Sequence, residues 1–225
     1  MQLWIGNKNY SSWSLRPWLL MQHTGIAFDE VRLRLSFTAD SEFKRRIATV
    51  SPAGRVPVLV DGDLSVWDTL AIAEYLAEAF PDKQLWPADR KARANARSMC
   101  AEMHSGFGAL RSRCPMNIEA SLPEVGARLM RDDAGLVADL ARIDAMWAQA
   151  LTTSGGPFLF GAFSVPDAYF APVCARIRTY ALPVTPAAAA YVERVFALPA
   201  LQRWVADALA EHDWLDEDEP YRSRA

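Results

Sequence analysis

Residues 6 to 18, GNKNYSSWSLRPW, gather Asn7, Asn9, Tyr10, Ser11, Ser12 and Ser14 at one junction, with Arg16 and Pro17 close behind. Serine and asparagine oxygens accept hydrogen bonds from the free N–H groups of a helix's first turn, and one such residue is enough for a cap. The surplus points to a second use: holding an anion, or activating a nucleophile, where a helix N-terminus favours negative charge. Two other places carry polar chemistry. Asp68 and Thr69, in VWDTLAIAEYL, open another helical run, where N-capping is the commonest use of both residue types. Ser164 and Asp167 have the spacing of a capping box, with Pro166 inside the first turn, and report on fold instead of chemistry.

Composition narrows the partners. The chain has 225 residues, 51% of them hydrophobic, enough for one large or two modest domains with a real core. Its formal net charge is −3 and its basic residues are spread along the chain, which argues against nucleic acid or an anionic membrane as the main partner. The start MQLWIGNKNY lacks the pattern of a signal peptide, and no apolar stretch approaches the roughly 20 residues of a membrane span, so a cytoplasmic protein is expected. Cys100, Cys114 and Cys174 are odd in number and far apart, and His23, His104 and His212 are scattered. Reduced packing thiols are expected, with no metal site and no Cys–His nucleophile.

The elements that must position these groups follow from periodicity. QLWI at 2–5, bounded by Gly6, reads as a buried strand, and 14–24 as a helix with Leu15, Trp18, Leu19 and Gln22 on its spacing and Gly25 at its end. FDEVRLRL alternates as a half-covered strand, and a strand, helix and strand in this order imply a parallel pair. A short helix over 41–50, a hairpin over 56–67 around DGD, and an amphipathic helix from Asp68 complete the order βαβαββα over residues 1–80. PDKQLWPADR, with two prolines and no periodicity, makes 81–88 a linker. Residues 89–225 read as all helical, with long runs over 91–113 and 124–151, helices near 186–197 and 199–211, and a mobile acidic tail, HDWLDEDEPYRSRA.

This layout resembles the cytosolic glutathione transferases: a thioredoxin-like α/β N-terminal domain followed by an all-α helical bundle. Four segments carry the resemblance. SPAGRVPVLVDGD resembles the family's N-P-x-G-x-V-P-x-L, VWDTLAIAEYL its E/D-S-x-A-I-x-x-Y-L, and LFGAFSVPDAYFAP its G-x-x-x-S-x-x-D-x-x-x-x-P segment. SSWSLR resembles the S-S-C-S-x-R motif of the zeta class, the maleylacetoacetate isomerases.

The resemblance implies glutathione as co-substrate, no metal, and a homodimer. It implies that Val56 pairs its backbone with the cysteinyl part of the peptide, that the Val56–Pro57 bond is cis, and that Arg55 reaches the glycyl carboxylate. Asp68 would take the glutamyl ammonium, and Thr69, by hydroxyl and N–H, the glutamyl carboxylate. A thiol with pKa near 8.5 is only a few per cent ionised at pH 7, and lowering it by about two units requires ~2.7 kcal/mol of preference for the anion. One charge-assisted hydrogen bond of roughly 1.5–3 kcal/mol supplies that. Matching the serine motif makes Ser11 the first candidate, then Ser12, with Tyr10 third and Ser14 as the helix cap. Trp13 stands where the zeta motif has cysteine, which removes mixed-disulfide chemistry there. Trp13 is expected to line a second-substrate pocket whose other wall includes Met103, Phe107, Leu110 and Arg111. A cation among Arg111, Arg113, Arg176 and Arg178 facing the cleft would indicate an anionic substrate. The implied activity is thiolate attack on a small hydrophobic or anionic electrophile. The alternatives are a zeta-like cis–trans isomerase of the maleylacetoacetate type, and a non-catalytic binding or scaffold protein of the same fold.

Overall fold

Strand β1 (Gln2–Ile5) buries Leu3 and Ile5 completely, and it needs neighbours on both edges. In the computed structural model, which describes residues 1–222, it pairs in parallel with β2 (Asp29–Arg32) and antiparallel with β3 (Val58–Asp61). β4 (Leu64–Trp67) completes the sheet in the order β2-β1-β3-β4. Asp61 faces Leu64 across the hairpin, so Gly62 and Asp63 make the turn, and Gly62 takes the positive φ of 61° that suits glycine. Helices α1 (Ser12–Thr24), α2 (Glu42–Ile47) and α3 (Thr69–Ala79) give the expected βαβαββα order. The Val56–Pro57 peptide is cis, as the resemblance implies.

The remainder is helical: α4 (Arg90–Ser105), α5 (Gly108–Arg113), α6 (Pro123–Asp132), α7 (Ala134–Ser154), α8 (Val165–Tyr180), α9 (Pro186–Phe196) and α10 (Pro199–Glu211). α8 is buried along nearly its whole length, and α1 packs against both it and α10. Its start is held by Asp167, whose carboxylate accepts from the N–H groups of Ser164 (2.9 Å) and Leu159 (3.1 Å) and from the Tyr191 hydroxyl (3.0 Å).

Several expectations need correction. The run over 91–113 is two helices, because Phe107 takes a left-handed φ of 53° after Gly106 ends α4. The run over 124–151 breaks where Asp133 turns extended and caps α7 through its bond to the Leu136 N–H. The linker contains a short 3₁₀ turn, Pro81–Lys83. Ser14 is not a cap: α1 begins two residues earlier, and Ser14 lies buried inside it. The tail is not loose over 212–222, where Arg34 pairs with Asp213 at 2.8 Å, Tyr10 bonds Glu219 and the Tyr221 hydroxyl donates to the Arg113 carbonyl. Residues 223–225 of that stretch lie outside the described residues.

Candidate active site

The N-terminus of α1, the loop before β3 and the N-terminus of α3 meet around one cleft of about 960 Å³. Tyr10, Ser11, Ser12, Trp13, Arg55, Val56, Pro57, Asp68, Thr69 and Arg111 all line it. Met103, Phe107 and Leu110 do not reach it. They are buried in the core, since on α4 it is the neighbouring His104 that turns toward the cleft. Of the four arginines, Arg111 and Arg176 line the cleft, while Arg113 pairs with Asp133 at 2.9 Å and Arg178 lies over Phe196.

At the α1 end the three serines have distinct surroundings. Ser14 Oγ accepts from the Gly6 N–H at 3.1 Å and lies 2.7 Å from Ser11 Oγ. Ser12 is half-buried, and its hydroxyl has no partner among the described residues. The Tyr10 hydroxyl donates to the Glu219 carboxylate at 2.7 Å, and burial, reinforced by that bond, pushes its pKa well above the ordinary tyrosine value. Tyr10 is thus held protonated and committed elsewhere. Beneath this turn lies Arg16, fully buried, donating to the Ser12 carbonyl (2.7 Å) and the Tyr169 carbonyl (3.1 Å) with one nitrogen unpaired. Burial lowers its pKa to about 9, which still leaves a guanidinium under the first turn at neutral pH. The Arg16 guanidinium stacks on the Trp13 ring at 4.1 Å, with Arg111 at 5.5 Å and the His104 ring at 5.3 Å.

At the α3 end, Asp68 has φ of 75°, an uncommon conformation for a residue other than glycine, and caps the helix through the Leu70 N–H at 2.8 Å. Its carboxylate also lies 3.3 Å from His104 Nε2, and His104 Nδ1 is 3.1 Å from the Tyr169 hydroxyl. Thr69 is buried with its hydroxyl bonded to the Tyr169 hydroxyl, a partner the sequence did not show. Its backbone N–H remains one of the first-turn donors without a helical acceptor. Arg55 is exposed and free of any ion pair among the described residues. His104 and Tyr169 escaped sequence reasoning because they come from the helical bundle, far from Asp68 in the chain. No signal short of the fold joins them.

The surplus amides of the opening run have a use that spacing did not reveal. Asn7 donates to Asp213 (3.0 Å) and accepts from the Leu35 N–H (2.8 Å), and Asn9 accepts from the Glu119 N–H (2.9 Å). Lys8, almost wholly buried, places its ammonium 2.8 Å from Glu30 and 2.6 Å from Asp207. Its backbone N–H and that of Asn9 both donate to Glu211, and its carbonyl accepts from Trp204 Nε1. The loop therefore clasps α10 and the tail.

Comparison with known proteins agrees with this geometry. The sequence profile described as "Glutathione S-transferase, N-terminal domain" matches residues 10–79. A probable glutathione transferase of Aplysia californica is 37% identical over 82 residues, covering 36% of this chain and 84% of that protein. A probable maleylacetoacetate isomerase of Caenorhabditis elegans is 32% identical over 99 residues, 44% of each chain. The chain thus spans less than half the length of most of the curated relatives it matches, such as glutathione S-transferase 1 of Dianthus caryophyllus at 41%. Among solved structures, a bacterial maleyl pyruvate isomerase of the zeta class superposes with a TM-score of 0.70 over 95% of this chain and all of that one, at 20% identity, which speaks to fold. Among the described residues, no helix is long and apolar enough to cross a membrane, and no three His, Cys, Asp or Glu residues are grouped to hold a metal.

Proposed function

We propose, for a chain that belongs to the glutathione transferase family, that it activates glutathione as a thiolate for attack on a small electrophile, as a cytoplasmic homodimer. Residues 1–80 form the glutathione-binding domain in this reading, and 89–225 supply most of the second-substrate wall. The observation that supports it best is the single cleft shared by the α1 serines, the cis Val56–Pro57 peptide and the α3 N-terminus. The glycyl carboxylate goes to Arg55, the cysteinyl backbone to Val56, and the glutamyl end to the Asp68 carboxylate and Thr69 N–H.

Ser11 holds the sulfur. Hydroxyl hydrogens rotate to suit their partners. In the empty site the Ser11 hydroxyl donates to Ser14 Oγ, which also accepts from the Gly6 N–H; when a thiolate arrives, the Ser11 proton turns to it and the Ser14 hydroxyl can donate to Ser11 Oγ in its place. A chain of hydrogen bonds polarises each member, and the Arg16 charge beneath the turn favours the anion further. The unpartnered hydroxyl of Ser12 is the competing donor.

Calorimetric titration with glutathione, and ultraviolet absorbance of the bound thiolate against pH, test this directly. Ser11→Ala is expected to retain binding while the bound thiol's pKa rises by about one to two units, a loss of ~1.5–3 kcal/mol for the anion. Ser12→Ala is expected to move it less; the reverse order transfers the role to Ser12. A wild type without binding or a lowered thiol pKa defeats the reading and favours a scaffold role.

A second reading, isomerisation of an anionic substrate by thiolate addition and release, draws on Arg176. Its guanidinium is buried, donates to the carbonyls of Cys114 (2.8 Å) and Pro172 (3.2 Å), and lines the cleft.

A further inference from the structure

The tail over 212–222 brings a carboxyl into the cleft that neither reading uses. Asp218 lies in the 3₁₀ turn Asp216–Asp218 and is the one residue lining both the main cleft and an outer cavity of about 310 Å³. The tail is a thin partition between the two. It is pinned on either side of Asp218, by Trp214 Nε1 donating to Glu119 at 3.3 Å, by Tyr10 on Glu219 and by Tyr221 on the Arg113 carbonyl. The Asp218 side chain itself has no hydrogen-bond or ion-pair partner within reach among the described residues. Unpaired carboxyls facing a cleft are costly unless something in the cleft answers them.

The titratable groups that line these cavities with it are Arg176 and Tyr180 from α8, Arg111 from α5, Tyr10 from the β1–α1 loop and His104 from α4. On its own segment, Glu217 and Glu219 oppose its charge while Arg176 supports it. Burial, with these two neighbours, raises its pKa to about 6, so near neutral pH it is chiefly a carboxylate. The second-substrate end of the cleft then holds two guanidiniums against one fixed carboxylate.

We infer that Asp218 is a specificity residue: as a built-in counter-charge to Arg111 and Arg176 it leaves room for a single negative charge, so the second-substrate pocket selects monoanionic acceptors over dicarboxylates. This rests on the transferase reading for the identity of the cleft. It also cuts against dianionic substrates, which would bring a carboxylate toward Asp218 itself.

The test is calorimetric binding of terephthalate and monomethyl terephthalate to the glutathione-loaded full chain. The two probes share a rigid ring that can lie on Trp13 and differ by one charge. Wild type is expected to favour the monoester, and Asp218→Asn to raise the relative affinity for the dianion roughly fivefold to tenfold. Asp218→Glu, which keeps the charge, should leave the preference in place. In wild type the dianion preference should also rise as pH falls through about 6, a trend that the Asn variant lacks. An unchanged ratio in Asp218→Asn, or binding of neither acid by protein that still binds glutathione, overturns the inference alone. Loss of glutathione binding by the wild type removes the transferase reading and the inference together.

Discussion

The Asp68 carboxylate caps α3 and meets His104, and on the proposed reading it also takes the glutamyl ammonium. Removing it as Asp68→Ala is expected to weaken glutathione binding about tenfold or more, the size of one charge-assisted hydrogen bond, with the loss read by calorimetry. His104→Gln should weaken it less, since it supports the Asp68 carboxylate from the side instead of carrying the charge that meets the ammonium. At this scale the sequence was legible where a residue acts beside its neighbours. The serines of α1, Val56–Pro57 and the Asp68–Thr69 pair could each be read from a local motif. The Tyr169 partner of Thr69, a hundred positions away in the chain, was not legible, and Met103 was misplaced because one residue of helical phase separates core from cleft.

Helix crossings set the position of the cleft's far wall. Gly126 on α6 lies against α8 so closely that a Cβ there would stand 1.8 Å from the Tyr180 carbonyl oxygen. Gly126→Ala is therefore expected to cost ~1–3 kcal/mol despite the better helix propensity of alanine, lowering the melting temperature by several degrees in calorimetry. If α8 yields by a small shift, Arg176 moves with it, so anion binding in the cleft should suffer along with stability. The order βαβαββα was readable because alternation and helical spacing each need only a few residues. The breaks at Phe107 and Asp133 were passed over, because the glycines at 106 and 108 and the capping Asp133 are each also tolerated inside a longer helical run.

Protonation links the tail to the stability of the whole chain. Asp167 and Asp218 both have pKa values raised to about 6, chiefly by burial, against an ordinary 3.8. Between those values the native state holds protons that the unfolded chain has released, so these two groups make stability fall as pH climbs toward 6 and level off above it. Asp218→Asn should remove its share, so that the variant gains on wild type above about 6 relative to below 4, as urea unfolding at the two extremes would register. No composition or spacing argument reaches this, since the environment of Asp218 is built from α5, α8 and the β1–α1 loop at once. The same clasp has a meaning in time. Asn7, Lys8 and Asn9 are synthesised 199 to 206 positions ahead of their partners Asp207, Glu211 and Asp213. At ~5–20 residues per second that interval is roughly ten to forty seconds. Throughout it the loop bearing the serines has its partners Glu30, Leu35 and Glu119 but lacks those on α10 and the tail, so one wall of the cleft is held from both sides only after α10 has been made.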